Sequence, residues 1–176
     1  MEAAVITVEL AKPGPVISPY LYGQFIEHLG RCIDGGIWAE MLHDRKFLLD
    51  PGKSWEVVKP EGADFEAKPD PAGAYAGDHC MALWVRDAKG GRCGIRQGGL
   101  GVIKGKEYAG YAILANIGKP APVEIHLAWG EGPGDGETVI IRTVGPRYRK
   151  YPFRFRAGAT TDSARLSLSL SGPASL

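Results

Sequence analysis

The chain has 176 residues, 44% of them hydrophobic, enough to bury the core of one domain or of one domain plus part of another. Its 21 lysines and arginines nearly cancel its 20 acids, leaving a formal net charge of +1, so no global field draws nucleic acid or an anionic membrane and neither partner is expected. Cys32, Cys80 and Cys93 have no C-x-x-C spacing and form no metal-type cluster with His28, His43, His79 or His126, which predicts free thiols, a reducing compartment, and no metal or other cofactor.

The opening "MEAAVITVELAKPGP" carries early acids, no basic n-region and too short an apolar run for a signal peptide, which with the thiols favours a cytoplasmic location over the secreted alternative. No later segment reaches the ~18 to 20 apolar residues that a membrane span needs. From Ala4 to Glu9 apolar and polar residues alternate until "KPGP" stops them, as in a strand and a turn. A second strand is expected from Tyr20 to Glu27. Gly30, Gly35 and Gly36 then interrupt the chain before "IWAEMLHDRKFLL", where Ile37, Met41 and Leu48, with Trp38 and Leu42 beside them, recur at helical spacing.

After about Asp50 helical periodicity gives way to short runs separated by Gly, Pro and Asp: "SWEVV", "DFEAK", "HCMALWVR", "RCGIRQ", "KEYAGYAILANI", "PVEIHLAW", "ETVIIRTV", "YRKYPFRFRA" and "ARLSLSLS". Many short strands without a helix predict an antiparallel β-sandwich, jelly-roll-like. In the last run Leu166, Leu168 and Leu170 share one face and Ser167, Ser169 and Ser171 the other, as a sheet with one wet side requires.

Two motifs invite a functional reading and lose it. "GGRCGIRQGGLGVIKGK" fails the phosphate-loop spacing, with Glu107 after Lys106, and fails the dinucleotide pattern at Lys104, so its glycines read as turns between strands. "RYRKYPFRFR" interleaves basic and aromatic residues as a single-strand nucleic-acid platform does. Period two, however, puts Phe153 and Phe155 on one face and Arg154 and Arg156 on the other, an ordinary strand with a solvated side. Trp84 and Trp129 could each stack on a sugar, but a Trp in the middle of an apolar strand is more often core, and core is favoured for both. Glu27 is different: it follows "YLYGQFI" and precedes a loop and a helix, and in a β/α barrel the strand ends carry the ligand-binding groups.

The stretch "ISPYLYGQFIEHLGRCIDGGIWAEMLHDRKF" resembles the N-terminal signature of the α-L-arabinofuranosidases of glycoside hydrolase family fifty-one. "GDHCMALWV", "GIRQGGLGVIKGKEYAGYAIL" and "ATTDSARLSLSLSGP" are similar to the carbohydrate-binding-module-like sandwich that some members carry inserted near the start of the barrel. The resemblance implies a mainly β chain: residues 1–17 as a strand and turn that pairs with a C-terminal sandwich absent here, 18–50 as the first β/α unit of an incomplete (β/α)8 barrel, and 51–176 as the inserted sandwich. It implies retaining hydrolysis that releases terminal α-L-arabinofuranosyl residues from arabinoxylan, arabinan or related polysaccharides. Such an arabinose-containing saccharide is the expected partner, and homo-oligomers of the full-length enzyme are compatible with it. Glu27 matches the family glutamate that binds arabinose hydroxyls, a task for which a carboxylate supplies two charge-assisted acceptors; His28, Gly30 and Arg31 belong to the same motif as loop architecture or charge partners. The acid/base and nucleophile glutamates of the family fall on later barrel strands, beyond Leu176, so this chain alone is expected to be inactive. If the sandwich binds sugar, Tyr75, Tyr108, Tyr111 and Trp129 are the stacking candidates. The alternatives are an endo-glucanase fragment of the same family and a non-catalytic carbohydrate-binding or structural module.

Overall fold

The computed structural model describes residues 11, 13–22, 40–48, 54–118 and 121–176, and the chain divides into two compact units, Met1–Glu40 and Met41–Leu176. The strand expected at Ala4 to Glu9, the residues Glu27, His28, Gly30, Arg31 and Cys32, and the first part of the expected helix lie outside the described residues. In the first unit Pro19–Tyr22 forms one 3-10 turn, with Leu21 N donating to Ser18 O at 3.0 Å, where a strand is expected to start at Tyr20. Pro19 explains the difference, because its ring fixes φ at about −65° and suits the opening of a turn.

The second unit begins at Met41, ten residues ahead of the boundary expected at 51. Residues 43–46 form a turn instead of continuing a helix, and Asp44 and Phe47 have positive φ of 47° and 56°, values that no right-handed helix accommodates. A long-range partner dictates this conformation. The Gln97 side chain is buried at 4% exposure; its Oε1 accepts from His43 N at 2.8 Å, while its Nε2 donates to His43 O at 2.9 Å and to Ser54 O at 3.0 Å. Trp55 Nε1 donates to Asp44 O at 3.2 Å, the Phe47 and Trp55 rings lie 5.5 Å apart, and His79 Nε2 is hydrogen-bonded to Phe47 O. Met41, Leu42 and Phe47 thereby pack against the sandwich core.

That sandwich has ten strands: β1 (Glu56–Val58), β2 (Asp64–Asp70), β3 (Cys80–Asp87), β4 (Cys93–Val102), β5 (Glu107–Leu114), β6 (Val123–Ala128), β7 (Gly136–Ile141), β8 (Arg149–Arg156), β9 (Thr161–Leu170) and β10 (Ala174–Ser175). Nine coincide with the runs read from the sequence. A five-stranded sheet runs β1-β4-β9-β6-β7, a three-stranded sheet β10-β3-β2, and β5 pairs with β8 as a ribbon, every pair antiparallel. Leu83 and Leu176 exchange both backbone bonds at 2.9 Å and Ile117 N donates to Ser175 O at 3.2 Å, which ties the end of β5 to β10.

The core lies between these layers. Ile95, Val102, Val123, Ile125, Leu127 and Leu170 from the large sheet meet Phe65, Leu83 and Val85 from the second and Leu114 and Phe155 from the ribbon. In β9 the leucines follow the expected alternation, Leu170 buried and Leu166 and Leu168 packed on the core, whereas Ser169, expected on a wet face, is buried at 9% exposure. Alternation holds in β8 as well: Phe155 is 2% exposed while Arg154 and Arg156 are solvated. The glycine-rich segment is corrected. Gly98, Gly99 and Gly101 sit inside β4, whose register shifts between Gln97 and Leu100 and again before Val102, with Gly99 at φ +72°. They lie in a bulged strand, where the positive φ falls at Gly99, and only Gly90, Gly91 and Gly105 of this segment mark turns or bends.

Candidate functional site

Parity along β3 decides what faces outward. Leu83 and Val85 enter the core, so Trp84 points away from it and is half-buried on the outer face of the three-stranded sheet, which corrects the reading of Trp84 as core. Glu66 lies opposite Trp84, and Lys68 Nζ stands 4.9 Å from the centre of the indole. Lys68 pairs with Glu66 at 2.9 Å, and Arg86 reaches Asp64 at 3.0 Å and Glu66 at 3.5 Å. Lys68 holds the Glu66 carboxyl below the usual carboxylate range, so it is an ionised acceptor at neutral pH. A groove of about 350 Å³ runs beside the indole between Arg86 and Pro173 with the β10 residues Ala174 and Ser175.

The same outward face continues along β3 through Ala82 to Cys80, four residues from Trp84 on a strand that rises about 3.3 Å per residue. There Tyr148, just ahead of β8, meets the Cys80 side chain, and burial followed by that hydrogen bond pushes its phenol up to about 12. Its ring lies 5.6 Å from that of Tyr75, which is 61% exposed in the β2–β3 connection. Two residues further on, Lys150 places Nζ 3.8 Å over the ring of Tyr111, which is 50% exposed on β5 opposite Pro152. Trp84, the Tyr148–Tyr75 pair and Tyr111, each with polar neighbours, are together called the aromatic band.

The band joins two of the four stacking candidates and leaves two elsewhere. Tyr108 faces inward, packs on the core and accepts a hydrogen bond from Ile103 N at 2.8 Å. Trp129, at the end of β6, lies so close on Gly158 that a Cβ there would come within 2.7 Å of the indole. From the sequence Trp84 is weighed for stacking but core is favoured for it, and Tyr148 is not named. Strict period-two counting from Leu83 and Val85 finds the first; the second is set by a meeting of β3 with the residues before β8 that no local pattern contains.

The outer face of the five-stranded sheet is built otherwise. Glu56 and Arg96 form a two-pronged ion pair at 2.9 to 3.1 Å, and His126 Nδ1 lies 2.8 Å from Thr138 Oγ1. Burial, and then the charge of Arg92, lowers the His126 pKa, so this imidazole is neutral at pH 7. A depression of about 290 Å³ there is lined by Arg96, His126, Glu131, Asp135, Arg165 and Ser167, with Arg165 bonded to Glu131. Among the described residues Cys80 and Cys93 are free thiols, no group of three His, Cys, Asp or Glu could hold a metal ion, and no helix is long and apolar enough to cross a membrane.

No family model matches the chain. Of solved structures, it is similar to the Clostridium thermocellum N-terminal endo-1,4-β-D-xylanase 10B, CBM22-1 and GH10 modules complexed with xylohexaose, at 12% identity and a TM-score of 0.51 over 69% of this chain and 24% of that one. The sandwich resembles the folds of carbohydrate-binding modules. In sequence the chain is similar to the extracellular exo-α-L-arabinofuranosidase of Streptomyces chartreusis, 29% identical over 185 residues that take in 97% of this chain and 21% of that enzyme. It is also similar to the intracellular exo-α-L-arabinofuranosidase of Bacteroides ovatus, 47% identical over 38 residues, 22% of this chain and 7% of that enzyme. The chain thus spans about a fifth or less of the length of these curated relatives.

Proposed function

We propose that residues 41–176 are a carbohydrate-binding module of a glycosidase, and that the whole chain is the N-terminal part of a retaining exo-α-L-arabinofuranosidase. The aromatic band carries this reading: Trp84, Tyr148, Tyr75 and Tyr111 lie away from the core, where folding does not need them, beside ionised and hydrogen-bonding groups. A saccharide presents an apolar C–H face and an equatorial rim of hydroxyls. The face stacks on Trp84, removing indole surface from water, while Glu66 accepts from hydroxyls and Arg86 and Lys68 donate to them. The alignment of 97% of the chain with an arabinofuranosidase supports the enzymatic context.

In that context Glu27 fixes the arabinose ring, and the carboxyl pair of the retaining reaction, ~5 to 5.5 Å apart, belongs to the rest of the enzyme. The test has two arms. Titration of this chain with xylohexaose and with arabinoxylan oligosaccharides, followed by tryptophan fluorescence, is expected to saturate, and no change at millimolar ligand contradicts the binding reading. Glu27→Gln in the full-length enzyme is expected to lower kcat/KM by about 10- to 1000-fold with the fold intact, and an unchanged kcat/KM contradicts the role of Glu27.

A further inference from the structure

We propose that the band takes an acidic saccharide, a polysaccharide chain bearing uronic-acid groups, and that it does so with a fixed polarity: neutral sugar on Trp84, carboxylate at the tyrosine end. The proposal rests on the carbohydrate-binding reading and deepens it by naming the ligand class.

The observation is a segregation of charge that the net value of +1 hides. Residues 103–118 and 142–156, which build the β5–β8 ribbon and its approaches, hold Lys104, Lys106, Arg142, Arg147, Arg149, Lys150, Arg154 and Arg156 against Glu107 alone. Eight of the 21 cations and one of the 20 acids give the ribbon +7, which leaves −6 for the rest of the chain. Glu107 is taken by Arg154, and the Glu137 carboxylate accepts from the Arg156 amide. Among the described residues no carboxylate lies within salt-bridge reach of Arg142, Arg147, Arg149 or Lys150, all of them exposed.

The two ends of the band therefore differ. Around Trp84 the cations Lys68 and Arg86 are matched by Glu66 and Asp64. At the other end Tyr111 lies under Lys150, an exposed cation with no carboxylate in salt-bridge reach among the described residues, on the strand that follows Tyr148. Lys150 also gates its ring. A neutral sugar must displace the ammonium to stack on that face of Tyr111, whereas a sugar carboxylate draws Nζ off the ring into an ion pair as the ring is uncovered.

The experiment is calorimetric titration of this chain with xylohexaose and with the same backbone carrying one glucuronic-acid branch, in low and high salt. The branched ligand is expected to bind about tenfold more tightly at ~20 mM NaCl, with the advantage shrinking to about twofold at ~300 mM as the ions screen exposed cations. In the variant Lys150→Gln the ratio of the two affinities is expected to fall toward one. Equal affinities, or an advantage that neither salt nor Lys150→Gln changes, overturn the proposal while leaving saccharide binding in place. Failure of both ligands to bind overturns the carbohydrate-binding reading itself. An oligothymidylate bound more tightly than the branched saccharide overturns the proposal in favour of a nucleic-acid surface.

Discussion

The outer faces of the two layers rest on the same core and differ in what they leave unfinished. On the five-stranded sheet polar groups meet partners: Glu56 with Arg96, His126 with Thr138, Glu131 with Arg165. On the opposite layer aromatic surfaces stand toward solvent, and among the described residues Lys150, the cation over Tyr111, has no carboxylate in salt-bridge reach. Folding explains the first pattern, because an outward sheet face needs only compatibility with water. It does not explain the second, since exposed tyrosine and tryptophan surface contributes nothing to the core and is retained at a cost in solvation. The contrast is the reason the proposed binding site is assigned to the layer formed by β10-β3-β2 and the β5–β8 ribbon.

The largest expected effects ask whether the foundation is common to both faces. Leu83, 2% exposed on β3, and Ile125, equally buried on β6, sit in one cluster. Leu83→Ala and Ile125→Ala are each expected to lower stability by about 2 to 4 kcal/mol in urea denaturation, with a single transition. Two transitions, one affected by each substitution, would mean that the layers do not share a core.

Next comes the latch. Gln97→Leu removes three hydrogen bonds and leaves His43 N, His43 O and Ser54 O without their partner, at a cost of about 1 to 3 kcal/mol. Amide exchange at His43 is expected to accelerate more than exchange in β6, and uniform acceleration would mean that residues 41–48 are not held locally.

The pH response separates the faces by direction. The Tyr148 phenol is raised to about 12, above its unfolded value, so its contribution is present below pH 10 and is lost as pH rises toward 12. His126 is lowered, so its contribution is present above its unfolded value near pH 6.5 and is lost as pH falls through the folded one. Tyr148→Phe is expected to flatten the alkaline limb of a stability profile and His126→Gln the acid limb. A variant that flattens the opposite limb contradicts the assignment. The smallest effect belongs to Glu56→Gln: with Glu56 63% exposed, the loss is expected to be at most about 1 kcal/mol and to vanish in high salt.

Much of the sandwich was legible because each strand encodes its own faces. "ARLSLSLS" announces an inner leucine row and an outer serine row before any partner is known, and β8 does the same with Phe155 and Arg154. What stayed illegible depended on distant partners or on backbone geometry. The apolar spacing of Met41 and Leu48 is helical, but Gln97, more than fifty residues away, captures the His43 backbone and leaves only a turn. The glycines of β4 look like a loop because a bulge and a turn ask for the same residue. The two residues of β10 are too few to show a period. Of the site, Tyr75 and Tyr111 were found by composition, Trp84 was set aside despite a parity that points it outward, and Tyr148 became visible only when β3 and β8 were brought together.

The central claim is that saccharide binds the aromatic layer and not the polar one, and a pair of substitutions read by the same titration tests it most directly. Trp84→Ala is expected to weaken binding of xylohexaose by about 30- to 300-fold, the loss of a stacked aromatic anchor, with thermal unfolding little changed. Arg96→Ala, on the outer face of the five-stranded sheet, is expected to leave that affinity within about twofold. The reverse result, affinity kept in Trp84→Ala and lost in Arg96→Ala, would place the ligand on the wrong face and contradict the account.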